Sequence, residues 1–267
     1  MRSYLAAAVQ MTASSAKEEN LVKAETFVGL AAERGASLVV LPEVFSWRGP
    51  RTVSSTQVEA IPGLTSERLR ALARRHRVYL LAGSFLEQTD GPRAHNTSLL
   101  LNPAGEIMAC YRKIHLFDVD IPGQVQIRES EAMKPGTEAV VCNTPLGVFD
   151  LSVCYDLRFP ELYRQLTQKG AEVLFVPSAF TFPTGAAHWE PLLRARAIEN
   201  QAYVIAPNQI GKNVHGFADY GNSMIIDPWG KVIARAPDKE CFIMAEIDRD
   251  YLEKVRRELP CLAHRRL

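Results

Sequence analysis

The chain lacks a surplus of either charge. Its 31 Lys and Arg stand against 30 Asp and Glu, a formal net charge of +1 over 267 residues. Without a basic excess nothing draws it in bulk to nucleic acid or to an anionic membrane, and neither is expected as a partner. Long apolar runs are missing near the start as well. Met1 to Gln10 carry one Arg and an apolar stretch too short to cross a bilayer, and no secretory cleavage pattern follows. Asn96-Thr97-Ser98 matches a glycosylation acceptor, which means nothing without a secretory signal. Cysteine is sparse, odd in number and widely spaced (Cys110, Cys142, Cys154, Cys241 and Cys261), with no C-x-x-C pair. That spacing argues against a disulfide framework or a zinc knuckle, and no metal site is expected. In a reducing compartment most of these cysteines read as small buried hydrophobes, with one or two at most left for chemistry. The cytoplasm is the simplest location.

What is present is ordinary for a globular protein: 47% hydrophobic and 23% charged residues. The length is near the upper size of one hydrophobic core, so a single domain over 1–267 is expected. Strand and helix patterns alternate. Strands are predicted over 3–11, 37–41, 78–82, 96–102 and 107–112, with amphipathic helices over 16–34 and 66–76 between the first three. Residues 116–135 show little periodicity and read as a long loop, and such loops inside compact domains are usually functional. Beyond it come strands at 147–153, 173–176, 202–206, 222–226, 232–234 and 242–247. Helices are expected over 160–169 and 189–201, and Asp248 caps a last helix that runs to about Leu259.

One segment is echoed. Arg34-Gly35-Ala36-Ser37-Leu38-Val39-Val40-Leu41-Pro42-Glu43-Val44-Phe45 matches Lys169-Gly170-Ala171-Glu172-Val173-Leu174-Phe175-Val176-Pro177-Ser178-Ala179-Phe180 in kind: helix end, Gly, apolar strand, Pro, then Phe. Chance similarity between buried strands is the competing explanation. Read as a repeat, the echo points to an α/β protein with two similar halves, each a sheet covered by helices.

Three residues sit just past strand ends, where ligands bind in α/β sheets: Glu43, Lys113 and Cys154. Singly, each also has an ordinary structural reading, as a loop carboxylate, a solvated charge and a core thiol. Jointly they form a working set. A free thiol, with a pKa of roughly 8.5, needs a base or a nearby cation to attack at neutral pH. A partly desolvated Glu can take its proton and later deliver it to a leaving ammonia or amine. A Lys ammonium favours the thiolate and then holds the oxyanion, a contribution of roughly 3–4 kcal/mol. The amide after the nucleophile, that of Tyr155, is a second candidate donor. A thioester would form and be cleaved by water that Glu43 activates.

At these residues the sequence resembles the nitrilase superfamily of carbon–nitrogen hydrolases. Leu41-Pro42-Glu43, Tyr111-Arg112-Lys113-Ile114-His115-Leu116 and Cys154-Tyr155-Asp156-Leu157-Arg158-Phe159-Pro160-Glu161-Leu162 carry the likeness, which spans nearly the whole chain. The resemblance implies a four-layer α-β-β-α sandwich and a Glu43–Lys113–Cys154 triad. It also implies a second carboxylate that orients Lys113 or the substrate, here Glu129, with Glu131 a close competitor. No metal or organic cofactor is implied. A homodimer or higher homo-oligomer is, with the segment from about 248 to 267 a candidate for packing on the partner. Within the superfamily, 115–123 and 184–190 look like the Nit subgroup, whose members cleave a terminal or γ-linked amide in a molecule bearing a carboxylate beside a keto group. A deaminated glutathione amidase is the first expectation and an ω-amidase acting on 2-oxoglutaramate the second, with another amidase of the superfamily, a carbamoylase or a true nitrilase as further enzyme options. Arg158 is either a bidentate partner for that carboxylate or a structural residue of its own turn. Tyr155, Phe180 and Thr181 are candidate pocket walls. A catalytically silent binding protein on the same scaffold is the non-enzyme alternative, and the intact triad argues against it.

Overall fold

The computed structural model describes residues 3–50, 56–123, 125–212 and 216–266. In chain order the strands are β1 (Ser3–Gln10), β2 (Ala36–Val40), β3 (Tyr79–Glu87), β4 (His95–Leu101), β5 (Ile107–Arg112), β6 (Asp118–Ile121), β7 (Val125–Arg128) and β8 (Val140–Thr144). They continue as β9 (Gly147–Leu151), β10 (Val173–Phe175), β11 (Tyr203–Ala206), β12 (Ile210–Lys212), β13 (Ala218–Tyr220), β14 (Met224–Ile226), β15 (Val232–Arg235) and β16 (Cys241–Asp248). The helices are α1 (Lys17–Glu33), α2 (Leu64–His76), α3 (Pro160–Gln168), α4 (Phe182–Asn200) and α5 (Arg249–Glu258).

Two six-stranded sheets form the centre, ordered β16-β1-β2-β3-β4-β5 and β15-β14-β11-β10-β9-β8. Reading the first from β16 and the second from β8, the pairings run antiparallel, parallel, parallel, antiparallel, antiparallel in both. The echoed segments are therefore equivalent strands: β2 and β10 hold the same place, preceded by α1 and α3. The two-half reading holds.

Side-chain alternation makes the layers. In a strand successive residues face opposite sides. Ala6, Ala8, Leu38, Val40, Leu81 and Leu100 join the core shared with the second sheet, including Phe149, Leu151 and Phe175. Their neighbours Ala7, Val9, Val39, Leu41, Leu80 and Leu101 pack on the other side against α1 and α2 through Leu21, Val28, Leu69 and Leu72. The first sheet is thus buried on both faces, which is why β2 reads as a continuous apolar run. Helices α3 and α4 cover the second sheet through Leu162, Leu166, Trp189 and Leu193. The α-β-β-α order follows.

Several expectations need correction. The predicted loop 116–135 contains the hairpin β6–β7 and a short 3₁₀ turn, Glu129–Glu131. Its alternation of Val119, Ile121, Val125 and Ile127 is genuine but mostly only half-buried, so it gave a weak signal. Strand β8 and the hairpin β12–β13 went unread, being short and paired by distant context. Helix α4 starts at Phe182 instead of Trp189, because Pro183 in the first turn has no N–H to leave unsatisfied. Most cysteines are not buried: Cys142 and Cys154 are, Cys241 is half-buried, and Cys110 and Cys261 are exposed. Cys110 lies on the outward side of the edge strand β5.

Candidate active site

Past β2 the chain turns through Leu41 and Pro42 into Glu43. Strand β3 runs hard against this turn: a Cβ on Gly83 would lie 2.0 Å from the Leu41 carbonyl oxygen and 2.2 Å from that of Pro42. Only glycine fits, and the register of β3 slips there. The next residue, Ser84, accepts the Val44 N–H on its Oγ at 2.9 Å. Val44 itself has φ +48°, an outlying conformation for a β-branched residue. Gln209 Nε2 donates to the Glu43 carbonyl at 2.9 Å. The Glu43 backbone is therefore held from three sides.

Cys154 opens a 3₁₀ turn (Cys154–Arg158) beyond β9, with φ +49°. Such left-handed non-glycine backbone is uncommon and persists where its surroundings over-determine it. Here the Cys154 N–H donates to the Pro177 carbonyl at 2.9 Å, in the second copy of the echoed turn. Lys113 follows β5, its own N–H bonded to Asn96 O at 2.9 Å.

The side chains converge. Lys113 Nζ donates to Glu43 Oε1 at 2.9 Å and to Glu129 Oε2 at 2.9 Å. Asn96 Nδ2 bridges the same two carboxylates, at 3.0 Å to Glu43 and 3.3 Å to Glu129. Glu43 Oε2 accepts the Ala179 N–H at 2.9 Å, and Glu129 Oε2 accepts the Phe117 N–H at 2.6 Å. The Cys154 thiol interacts with the Glu43 carboxyl group and the Lys113 charge. Glu43, Lys113 and Cys154 are 5%, 2% and 7% exposed, and with Glu129 they line one cavity of about 470 Å³.

Electrostatics set the resting proton positions. Burial pushes the Glu43 carboxyl up, but the Lys113 charge and its hydrogen bonds outweigh that and hold it below the ordinary carboxylate range. Burial would lower Lys113, yet Glu129 and Glu43 raise it well above the usual lysine value. Burial and the Glu43 charge push the Cys154 thiol well up, opposed by Lys113. At neutral pH the site thus holds a carboxylate, an ammonium and a protonated thiol.

The carbon-nitrogen hydrolase family pattern matches residues 5–257. The chain belongs to that family. Deaminated glutathione amidase of Synechocystis is 46% identical over 269 residues, covering 99% of each protein. Omega-amidase NIT2 of Xenopus tropicalis is 39% identical over 266 residues, covering 100% of this chain and 96% of that one. The crystal structure of Saccharomyces cerevisiae Nit3, a member of branch 10 of the nitrilase superfamily, superposes with a TM-score of 0.89 at 33% identity, covering 100% of this chain and 97% of that one. This carbon–nitrogen hydrolase is accordingly an enzyme acting on non-peptide C–N bonds.

The remaining residues singled out in the hydrolase sequence fall around two spaces. Thr181 lines the large cavity and also a small adjoining one of about 20 Å³, which Cys154, Tyr155, Arg158 and Phe180 line too. The Arg158 guanidinium lies 5.2 Å from the Phe180 ring centroid and 5.8 Å from that of Tyr155, and meets His188 Nδ1 at 3.3 Å. That space holds about one water molecule, so a carboxylate reaches Arg158 only if side chains move. Of the two neighbouring carboxylates Glu129 lines the large cavity. Sequence reasoning missed Asn96, Trp47, Arg48, Phe117 and Arg128, which also line it. Asn96 stands at the start of β4 beside Thr97, and its only local signal was the glycosylation pattern. Arg48, paired with Asp219, adds positive charge that helps lower Glu43.

Proposed function

We propose that this hydrolase cleaves the γ-linked amide of deaminated glutathione through a Cys154 thioester. The carrying observation is the Lys113 ammonium, 2.9 Å from both Glu43 and Glu129, in the cavity that Cys154 lines. In this reading Sγ attacks the amide carbon as Glu43 takes its proton. The oxyanion is held by Lys113 and the Tyr155 N–H. The intermediate collapses, the C–N bond breaks, and Glu43 returns the proton to the leaving amine. Glu43 then takes a proton from water as it attacks the thioester, and the thiol leaves with that proton. Glu129 orients Lys113. Arg158, with Tyr155, Phe180 and Thr181 as walls, receives the carboxylate beside the keto group once side chains move to open the small space around it.

The 46% identity to a relative named for that substrate favours it over 2-oxoglutaramate. Comparing kcat/KM for the two is the direct check, and a strong preference for 2-oxoglutaramate reverses the order. We also read the enzyme as a cytoplasmic homodimer, with α4 and the segment from about 248 to 267 at the seam. Ile198 on α4 and the nearby Trp229, 49% and 60% exposed, support it. Light scattering should give twice the chain mass, falling to one in Ile198→Asp with Trp229→Ser; an unchanged monomer in the parent enzyme sinks the dimer.

A further inference from the structure

We propose that Asp156 is a positioning residue for amide hydrolysis, clamping the Cys154 turn to the segment that carries Lys113; the proposal rests on the triad reading above. Asp156 is fully buried, two residues past the nucleophile. Its Oδ2 accepts the Val153 N–H at 2.8 Å and the Tyr111 hydroxyl at 2.7 Å. Its Oδ1 accepts the His115 N–H at 3.1 Å and meets His115 Nδ1 at 2.7 Å. The contacts on the far side therefore fall at 111 and 115, flanking Lys113, while the near contact is the residue just before Cys154. The Tyr111 oxygen also accepts the Ile114 N–H at 3.2 Å, and the His115 ring stacks on Phe159 at 3.7 Å, closing a second link to the same turn.

A buried carboxylate is costly unless its oxygens are hydrogen-bonded, and here both are. Capping the 3₁₀ turn accounts for the Val153 bond alone. It does not call for bonds to residues 45 and 41 positions away. Those bonds do something else: they fix the distance between two elements that belong to different sheets, β5 and β9. Burial and the Asp156 charge push the Tyr111 phenol well up, so it remains a donor at neutral pH. Because thiol activation depends on the Lys113 charge near the sulfur, loosening this clamp should weaken chemistry more than binding.

The experiment compares the parent enzyme with Asp156→Asn and Tyr111→Phe. Three quantities are read: kcat, KM, and the pH profile of Cys154 alkylation by iodoacetamide, followed by peptide mass spectrometry. Both variants should lose about tenfold or more in kcat with KM changed by less than about threefold. The alkylation inflection should move to higher pH as Lys113 withdraws from the sulfur. A folded variant with the parent alkylation profile, or with a change in KM alone, overturns the clamp. If Asp156→Asn does not fold, Tyr111→Phe decides by itself, since it deletes a single hydroxyl. Alkylation needs no amide substrate. A shifted profile in an enzyme that turns over other small amides and no deaminated glutathione would therefore overturn that substrate reading and leave the clamp standing.

Discussion

The two turns that follow β2 and β10 share a plan and divide the labour. Each leaves an apolar parallel strand, passes a proline and ends on a buried phenylalanine, Phe45 in one and Phe180 in the other. At the equivalent position the first turn presents Glu43 and the second Ser178. The Ser178 hydroxyl bonds back to Val176 O at 3.1 Å. What the second turn gives the site is backbone: the Pro177 carbonyl for the Cys154 N–H and the Ala179 N–H for Glu43 Oε2. One copy thus contributes a titratable side chain and the other contributes fixed dipoles. A repeated scaffold supplies two platforms facing one space, and a single side-chain difference decides which of them presents a titratable group.

The strongest way to break this contrast is at the first turn. Glu43→Gln should cost about 10²–10⁴-fold in turnover by steady-state kinetics, because thiol attack, departure of the amine and thioester cleavage all lose their proton carrier. Cys154→Ala should abolish turnover. Glu43 also carries a stability signature. Its folded-state value lies below the ordinary carboxylate range, so its contribution is present above the unfolded value and lost as pH falls through the folded one. Urea unfolding should show this acid-side loss in the parent enzyme and a smaller one in Glu43→Gln; identical slopes would contradict the pairing. Next in size is Gly83→Ala. Its new Cβ must displace the Leu41–Pro42 backbone, costing about 1–3 kcal/mol and lowering kcat, measurable by chemical unfolding alongside kinetics. The smallest change belongs to the second turn. Ser178→Ala removes one buried hydrogen bond, about 1 kcal/mol, and leaves both backbone contacts, so kcat/KM should stay within about twofold. A large loss of activity there would mean the second turn works through its side chain after all.

Much of the fold was legible from pattern. Continuous apolar runs marked β2 and β10, helical spacing marked α1, and the echoed Pro turns located the equivalent strands of the two halves. The positions of Glu43, Lys113 and Cys154 past strand ends were readable for the same reason. Weakly patterned elements were not: β6 and β7 alternate but bury little, and β12 and β13 are only three residues each. Asn96 and Asp156 were not legible as site neighbours because the partners that tie them to the site, Glu43 and Glu129 for Asn96 and Tyr111 and His115 for Asp156, lie more than thirty residues away.

By itself, the order of residues determined which strands would be buried, where each would end, and which ionisable groups would stand at those ends, since periodicity and turn chemistry are local. Only the tertiary structure decided that those ends share one cavity, that Glu43 is held ionised beside Lys113, and that Arg158 lies behind aromatic rings off the main space. These depend on distances across two sheets, and both burial and charge pairing are properties of neighbours that the chain brings together only when folded.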